Sequence, residues 1–137
     1  MVSSVGQILP ELSRSVTQDM IGGYAAVSGD SNPVHVDPEF AVGSSFGRIV
    51  AQGMLTLAFV SDMLAQAFGR SWLESGRLKL RFRAPVFPGD TITAYGAVKA
   101  VREGEGAGEV VCSVGVRRQT GEDAITGEAR VRVRPLA

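Results

Sequence analysis

Residues 54–68 read MLTLAFVSDMLAQAF, the most continuously apolar segment of the helical pattern in the chain. It is long and rich in good helix formers, and Gly69 follows where a helix would end. The run is apolar on nearly all sides, so a helix here has to be buried on most of its surface. The stretch therefore predicts a central helix around which the rest of the chain packs.

The chain after this helix has the pattern of β-strands. Leu78, Leu80 and Phe82 alternate with charged residues, which is typical of a strand with one face in water. Three strand-like runs follow, TITAYGAVKAV (91–101), EVVCSVGVRRQ (109–119) and AITGEARVRVR (124–134). The turns that bound them are Pro88-Gly89-Asp90, residues 103–108 and Thr120-Gly121. One early strand, some helix, a buried helix and then consecutive strands predict an α+β fold with an antiparallel sheet against the central helix.

Shorter elements are predicted before the central helix. Thr17 can cap a helix that continues to about residue 27. Residues 28–36 are rich in turn formers and predict irregular backbone. Asp37 followed by Pro38 is typical of a helix start, and a brief helix should end near Ala41.

Composition narrows the class of protein. A chain of 137 residues suits one domain, residues 1–137. Fourteen basic residues balance fourteen acidic ones, which predicts neither a nucleic-acid nor a membrane partner. One cysteine, Cys112, fits a reducing compartment, and the N-terminus lacks the pattern of a signal peptide. We therefore expect a cytoplasmic protein.

The segment SGDSNPVHVD, residues 28–37, carries the strongest candidates for chemistry. It contains Asp30 and His35, the only histidine of the chain. An imidazole gains or loses a proton near neutral pH, and a carboxylate beside it can share control of one water molecule. With a single histidine and no cysteine cluster, a multi-histidine metal site within one chain is excluded. A structural turn, in which Asp30 caps an amide and His35 packs on a strand, is the alternative that the pair alone leaves open.

Gly53, just before the apolar helix, is the second candidate. Backbone N–H groups are unpaired at a helix start, where the helix dipole is positive, so an amide there can stabilise a developing oxyanion. A glycine that only begins the helix is the alternative.

Cys112 is most simply a small core residue. The arginines of the strand-like runs are expected on solvated faces, although a few could reach a ligand phosphate.

Four blocks of the sequence together resemble the MaoC-like, or hydratase 2, family of R-specific enoyl-CoA hydratases. They are YAAVSGDSNPVH (24–35), DPEFA (37–41), FGRIVAQGML (46–55) and FRAPVFPGD (82–90). The resemblance covers nearly the whole chain, and ordered blocks are far more specific than one Asp and one His. It favours the catalytic interpretation of Asp30 and His35 over the structural turn.

The resemblance implies a single hot-dog domain, a curved antiparallel sheet wrapped around one long helix. It implies a hydro-lyase that reversibly hydrates trans-2-enoyl-CoA to (R)-3-hydroxyacyl-CoA. Coenzyme A is then part of the substrate, and no metal or separate cofactor is expected. Chains of this kind usually form homodimers in which the acyl-CoA runs along the subunit interface.

The family's residue roles carry over to matching positions. Asp30 and His35 would grip the catalytic water, one taking its proton and the other helping to deliver a proton to the substrate. The Gly53 amide would bind the thioester carbonyl. Asn32 would shape the loop at the substrate-binding site, and Ser61 would line the acyl pocket.

The sequence departs from the family at Gln52, where the family often has histidine. Two alternatives stay open: a hot-dog acyl-CoA thioesterase, and a subunit of a two-chain 3-hydroxyacyl thioester dehydratase.

Overall fold

Five strands form one antiparallel sheet in the computed structural model, which describes residues 4–104, 106 and 108–134. The strands are β1 (Leu12–Ser15), β2 (Arg77–Phe82), β3 (Thr91–Arg102), β4 (Gly108–Arg118) and β5 (Asp123–Val133). Their order across the sheet is β1-β3-β4-β5-β2, so β1 and β2 are the edges. The predicted strands are confirmed. Residues 105 and 107 of the predicted 103–108 loop lie outside the described residues.

Among the described residues five helices accompany the sheet: α1 (Gln18–Ser28), α2 (Pro33–Val36), α3 (Pro38–Val42), α4 (Gly53–Phe68) and α5 (Arg70–Ser75). The long helix α4 contacts strands β1, β3, β4 and β5. Its buried side chains join strand residues in one hydrophobic core. The α+β class with a central helix, predicted from residues 54–68, is therefore confirmed.

Burial of α4 is less complete than its apolar sequence predicts. The side that faces the sheet is buried at Thr56, Val60, Met63, Leu64 and Phe68. Ala58, Asp62 and Gln66 are exposed on another side of the helix. One sheet covers one side of a helix, and the described residues form a single sheet.

Both helix starts expected from capping residues are confirmed. The Thr17 side chain accepts a hydrogen bond from Met20 N–H at 3.1 Å, at the start of α1. The Asp37 side chain accepts from Glu39 N–H and Phe40 N–H at the start of α3. In each case a side-chain oxygen satisfies an amide that the helix itself leaves unpaired.

Two helices were missed. Residues 28–36 were expected to be irregular throughout, but Pro33–Val36 form α2, capped by the Asn32 side chain. Asn32 and Pro33 form the same cap-and-proline pair as Asp37 and Pro38, so this signal was present in the sequence. Helix α5 follows Gly69, whose positive φ of 58° ends α4. Within the described residues, no helix combines the length and the apolar character needed to cross a membrane.

Candidate active site

Asp30 and His35 follow the C-terminal end of α1. The chain leaves this helix at Gly29, whose φ of 78° is left-handed backbone that glycine adopts without steric cost. Asp30 comes next, and His35 lies on the one-turn helix α2. The turn chemistry between them therefore sets how the two side chains face each other.

The ring of His35 is held by a backbone carbonyl. Its Nδ1 lies 2.7 Å from the Val50 oxygen. A carbonyl can only accept, so Nδ1 carries the proton of the neutral ring and Nε2 has the free lone pair. Nε2 lies 3.7 Å from Asp30 Oδ2, and the His35 side chain is only 12% exposed.

The 3.7 Å gap between His35 and Asp30 has a chemical consequence. A neutral Nε2 and an ionised carboxylate are both acceptors, so they cannot hydrogen-bond to each other directly. A water molecule has two O–H donors and can give one to each. The arrangement is therefore suited to holding one water, and a protonated His35 would instead pair with the carboxylate.

Asn32 organises the loop between the two candidates. Its Oδ1 accepts from Val34 N–H at 3.1 Å and caps α2, the helix that carries His35. Its own N–H donates to Asp30 Oδ1 at 3.4 Å. Asp30 thus also accepts a backbone amide, as the structural alternative expected. That bond uses Oδ1 and leaves Oδ2 directed at the imidazole.

Gly53 is the first residue of α4, as its sequence context predicts. Among the described residues no group accepts from its N–H, which is normal for the first turn of a helix. The ring of Phe82 packs against it, so that an added Cβ would lie 2.9 Å from Phe82 Cε1. A larger residue at position 53 would therefore require the Phe82 ring to move.

Residues 50–52 connect the histidine to the helix start. The Val50 carbonyl binds His35 Nδ1, and the Val50 N–H donates to the Val34 oxygen at 3.3 Å. The Ala51 N–H donates to the Val86 oxygen at 2.7 Å. This short extended segment therefore fixes His35 and Gly53 relative to each other through consecutive backbone bonds.

A cleft of about 420 Å³ brings these groups together. Its walls include His35, Asn32, Gly53, Thr56 and Phe82, with further apolar side chains from residues 84–86, 124 and 125. Asp30 is not a wall residue and contacts the cleft through His35. An apolar cleft with a few convergent polar groups is the usual form of a small-molecule site.

Ser61 is placed elsewhere. Its hydroxyl oxygen accepts a hydrogen bond from the Trp72 indole N–H at 3.0 Å, between α4 and α5. It does not line the cleft that contains His35 and Gly53. The predicted acyl-pocket role of Ser61 stays a prediction.

Other groups and clefts do not offer this chemistry. Burial raises the pKa of the Cys112 thiol to about 11, so it is a core residue and not a thiolate nucleophile. A wider cleft of about 900 Å³ lies between α5 and the end of β5. It is lined mainly by arginine and serine, and none of the predicted site residues belongs to it.

Two contributors to the site were not predicted. The Val50 carbonyl sets the tautomer of His35, and the Phe82 ring forms the wall beside Gly53. Every residue has a backbone carbonyl, so the residue type at position 50 could not indicate this contact. Phe82 was noted only as a strand residue, although its place in the fourth quoted block was a usable signal.

The fold is the one expected of a hot-dog hydro-lyase, and comparison with known proteins shows that class. The family model described as "MaoC like domain" matches residues 4–120. The chain belongs to the MaoC-like domain family, as its sequence blocks predict.

Individual relatives are hydratases and dehydratases. The chain is 36% identical over 123 residues to the (R)-specific enoyl-CoA hydratase of Aeromonas caviae, covering 89% of this chain and 90% of that protein. It is 30% identical over 124 residues to 3-hydroxyacyl-thioester dehydratase Z of Mycobacterium tuberculosis, covering 86% and 82%. These names describe hydro-lyases, which confirms the predicted enzyme class.

A solved structure supports the same assignment. The structure described as the (R)-hydratase from A. caviae involved in PHA biosynthesis matches with a TM-score of 0.80 at 34% identity. The match covers 93% of this chain and 95% of that one. The hot-dog fold expected from the sequence is confirmed.

Proposed function

We propose that this protein catalyses the R-specific, reversible hydration of trans-2-enoyl-CoA to (R)-3-hydroxyacyl-CoA. The observation that carries the proposal is the 3.7 Å gap between His35 Nε2 and Asp30 Oδ2, with Nδ1 already bound to a carbonyl. His35 of this pair lines the same cleft as Gly53. The names of the relatives supply the substrate class and the stereochemistry of the proposal.

Hydration places a hydroxyl group on C3 of the substrate and a proton on C2. In the proposed mechanism, the water donates to both Asp30 and His35 and attacks C3 as it loses a proton to the pair. The pair returns one proton to C2, so both side chains end in their starting protonation states. One water held on one side of the double bond then supplies both groups, which predicts syn addition.

The thioester carbonyl becomes enolate-like as the water adds to C3. The Gly53 N–H, at the start of a helix of sixteen residues, is the proposed donor to this oxygen. A preorganised amide stabilises the developing negative charge more than the neutral ground state, which is what accelerates a reaction. Removing one such donor typically costs roughly 3 kcal/mol of transition-state stabilisation. We propose that these protein groups suffice without a metal or a cofactor.

We further propose that the protein acts as a homodimer. Large apolar side chains around the cleft are exposed in the single chain, with Phe46 47%, Met54 55% and Phe82 57% accessible. Neighbouring exposed apolar residues of this kind mark an interaction surface. Light scattering is expected to give twice the mass of one chain. A monomer with full activity would contradict this part of the proposal.

The proposed function is tested with purified protein and crotonyl-CoA. Hydration is expected to remove the absorbance of the conjugated thioester, and chiral analysis should identify (R)-3-hydroxybutyryl-CoA. An (S) product would contradict the stereochemistry. Release of free thiol without loss of the double bond would identify a thioesterase instead, and activity only after addition of a second chain would identify a subunit of a two-chain dehydratase.

A further inference from the structure

Gln52 is a polar residue in the core, directly before Gly53. Its side chain is only 1% exposed, and Nε2 donates to the Ile21 carbonyl of α1 at 2.9 Å. We infer that Gln52 is a positioning residue that aims the Gly53 amide into the cleft. This inference rests on the proposed role of Gly53, and it identifies how that amide is held.

The Gln52 carbonyl and the Gly53 N–H belong to one peptide unit. In a trans peptide these two groups point in opposite directions, so the carbonyl's partners determine where the N–H points. The Gln52 oxygen accepts from Leu55 N–H at 3.1 Å and from Thr56 N–H at 3.2 Å, inside the first turn of α4. The Gly53 N–H is therefore directed away from the helix body.

The other end of Gln52 is fixed by its side chain. Rotation about the Cα–C bond of Gln52 turns the whole peptide plane, and its ψ of 135° is the angle that directs the amide. The bond from Nε2 to Ile21 anchors the residue to α1, while the helix anchors its carbonyl. With both ends held, this rotation is restricted.

The side-chain amide is a costly way to fill this position. Among the described residues no group donates to Gln52 Oε1, although that atom is buried. A buried acceptor without a donor costs more free energy than a typical hydrogen bond contributes. Methionine, with a similar shape and no polar group to satisfy, should therefore be tolerated by the fold.

Because methionine fills the same space without the hydrogen bond to Ile21, Gln52→Met separates a role of Gln52 in positioning the Gly53 amide from a role in packing. We expect a melting temperature close to that of the wild type. The kcat for crotonyl-CoA should fall roughly tenfold with KM changed less than about twofold, because a misdirected donor loses part of the 10²- to 10³-fold effect of an oxyanion donor. Gln52→His, which restores a ring N–H donor, should recover kcat to within about threefold of the wild type.

The matched control is Val131→Ala, which truncates a buried side chain of β5 outside the cleft. It should lower the melting temperature and leave kcat unchanged. A Gln52→Met variant that fails to fold, or that keeps the wild-type kcat, would overturn the inference.

A second measurement does not depend on turnover. Butyryl-CoA has no double bond to hydrate, and its binding should shift the NMR resonance of the Gly53 amide in the wild type. In Gln52→Met that shift should fall by at least half, while amides of other cleft residues such as Ala124 still report binding. An unchanged Gly53 shift would overturn the inference. A Gln52-dependent shift in a protein that does not hydrate crotonyl-CoA would contradict the proposed function and leave the inference standing.

Discussion

Asp90 and Asp30 are two carboxylates in opposite surroundings. Asp90, which immediately precedes β3, accepts four hydrogen bonds, two from Arg118 and one each from Gln119 and the Phe87 amide. Among the described residues, Asp30 accepts one, from Asn32 N–H at 3.4 Å. The side chain of Asp90 is 7% exposed and that of Asp30 is 43% exposed.

This difference separates a carboxylate that stabilises the fold from one that can do chemistry. Burial by itself raises the pKa of Asp90, but the hydrogen bonds from Arg118, Gln119 and the Phe87 amide outweigh it and hold the pKa below its ordinary value of 3.8. Every oxygen of Asp90 is occupied, so it cannot accept from a water that must also react. In the part of the chain that the structure describes, Asp30 Oδ2 accepts no hydrogen bond, and it faces His35.

The largest expected effect is the loss of activity in Asp30→Asn and in His35→Ala. An amide or a methyl group cannot take a proton from water, and general acid–base groups typically contribute about 10²–10⁴-fold. Crotonyl-CoA hydration should fall by that factor, with a melting temperature near that of the wild type. Full activity in either variant would refute the assignment of the pair.

The same Asp→Asn change at position 90 should have the opposite profile. It leaves Arg118 with a weaker partner in a largely buried setting, and breaking a buried ion pair costs about 3 kcal/mol. Urea unfolding should show this loss, while the kcat of the folded protein stays at the wild-type value. A stable Asp90→Asn protein with low activity would show that Asp90 acts in the reaction and does not mainly stabilise the fold.

Acid should remove the contribution of Asp90. Its folded pKa lies below the ordinary 3.8, so its stabilisation is fully present above that pH and is lost as the pH falls through the folded pKa. The difference in unfolding free energy between wild type and Asp90→Asn should therefore narrow below pH 4. Val131→Ala serves as the control, since its difference from the wild type should not depend on pH.

Asn32→Ala should lower activity indirectly, by loosening the helix that positions His35. Losing the cap of α2 costs about 1 kcal/mol, and the helix that carries His35 then holds the ring less firmly. We expect a kcat reduction of roughly tenfold, smaller than that of Asp30→Asn. Asn32→Asp keeps a capping oxygen and should recover most of the activity. Equal losses in both variants would indicate that Asn32 acts on the substrate and not through the cap.

Ser61→Ala should have the smallest effect on the hydration of crotonyl-CoA. It removes the acceptor of the buried Trp72 indole N–H, which costs about 1–3 kcal/mol of folding stability. Crotonyl-CoA kinetics should be unchanged. If Ser61 lines the acyl pocket, as the family resemblance implies, KM should change for longer enoyl-CoA substrates. Unaltered KM values across a chain-length series would end that prediction.

Much of the fold could be predicted because its signals are local. The apolar run 54–68, the alternation at Leu78, Leu80 and Phe82, and the caps Thr17 and Asp37 act within a few residues of chain. Helix α2 was missed although its Asn32–Pro33 signal was of the same kind. Helix α5 has no side-chain cap at its start, and Trp72 is buried in the common core, which is not a local property.

The amino-acid sequence predicted that one helix would be central, that strands would follow it, and which residues are candidates for the chemistry. These predictions depend on the types and the spacing of side chains, which can be read directly from the sequence. The folded structure was needed to show that Val50 sets the His35 tautomer, that Asp90 accepts hydrogen bonds on both oxygens while Asp30 Oδ2 faces His35, and that Ser61 accepts from Trp72. Those facts depend on which backbone and side-chain groups meet across long separations, and hydrogen-bond partners are chosen by distance in space.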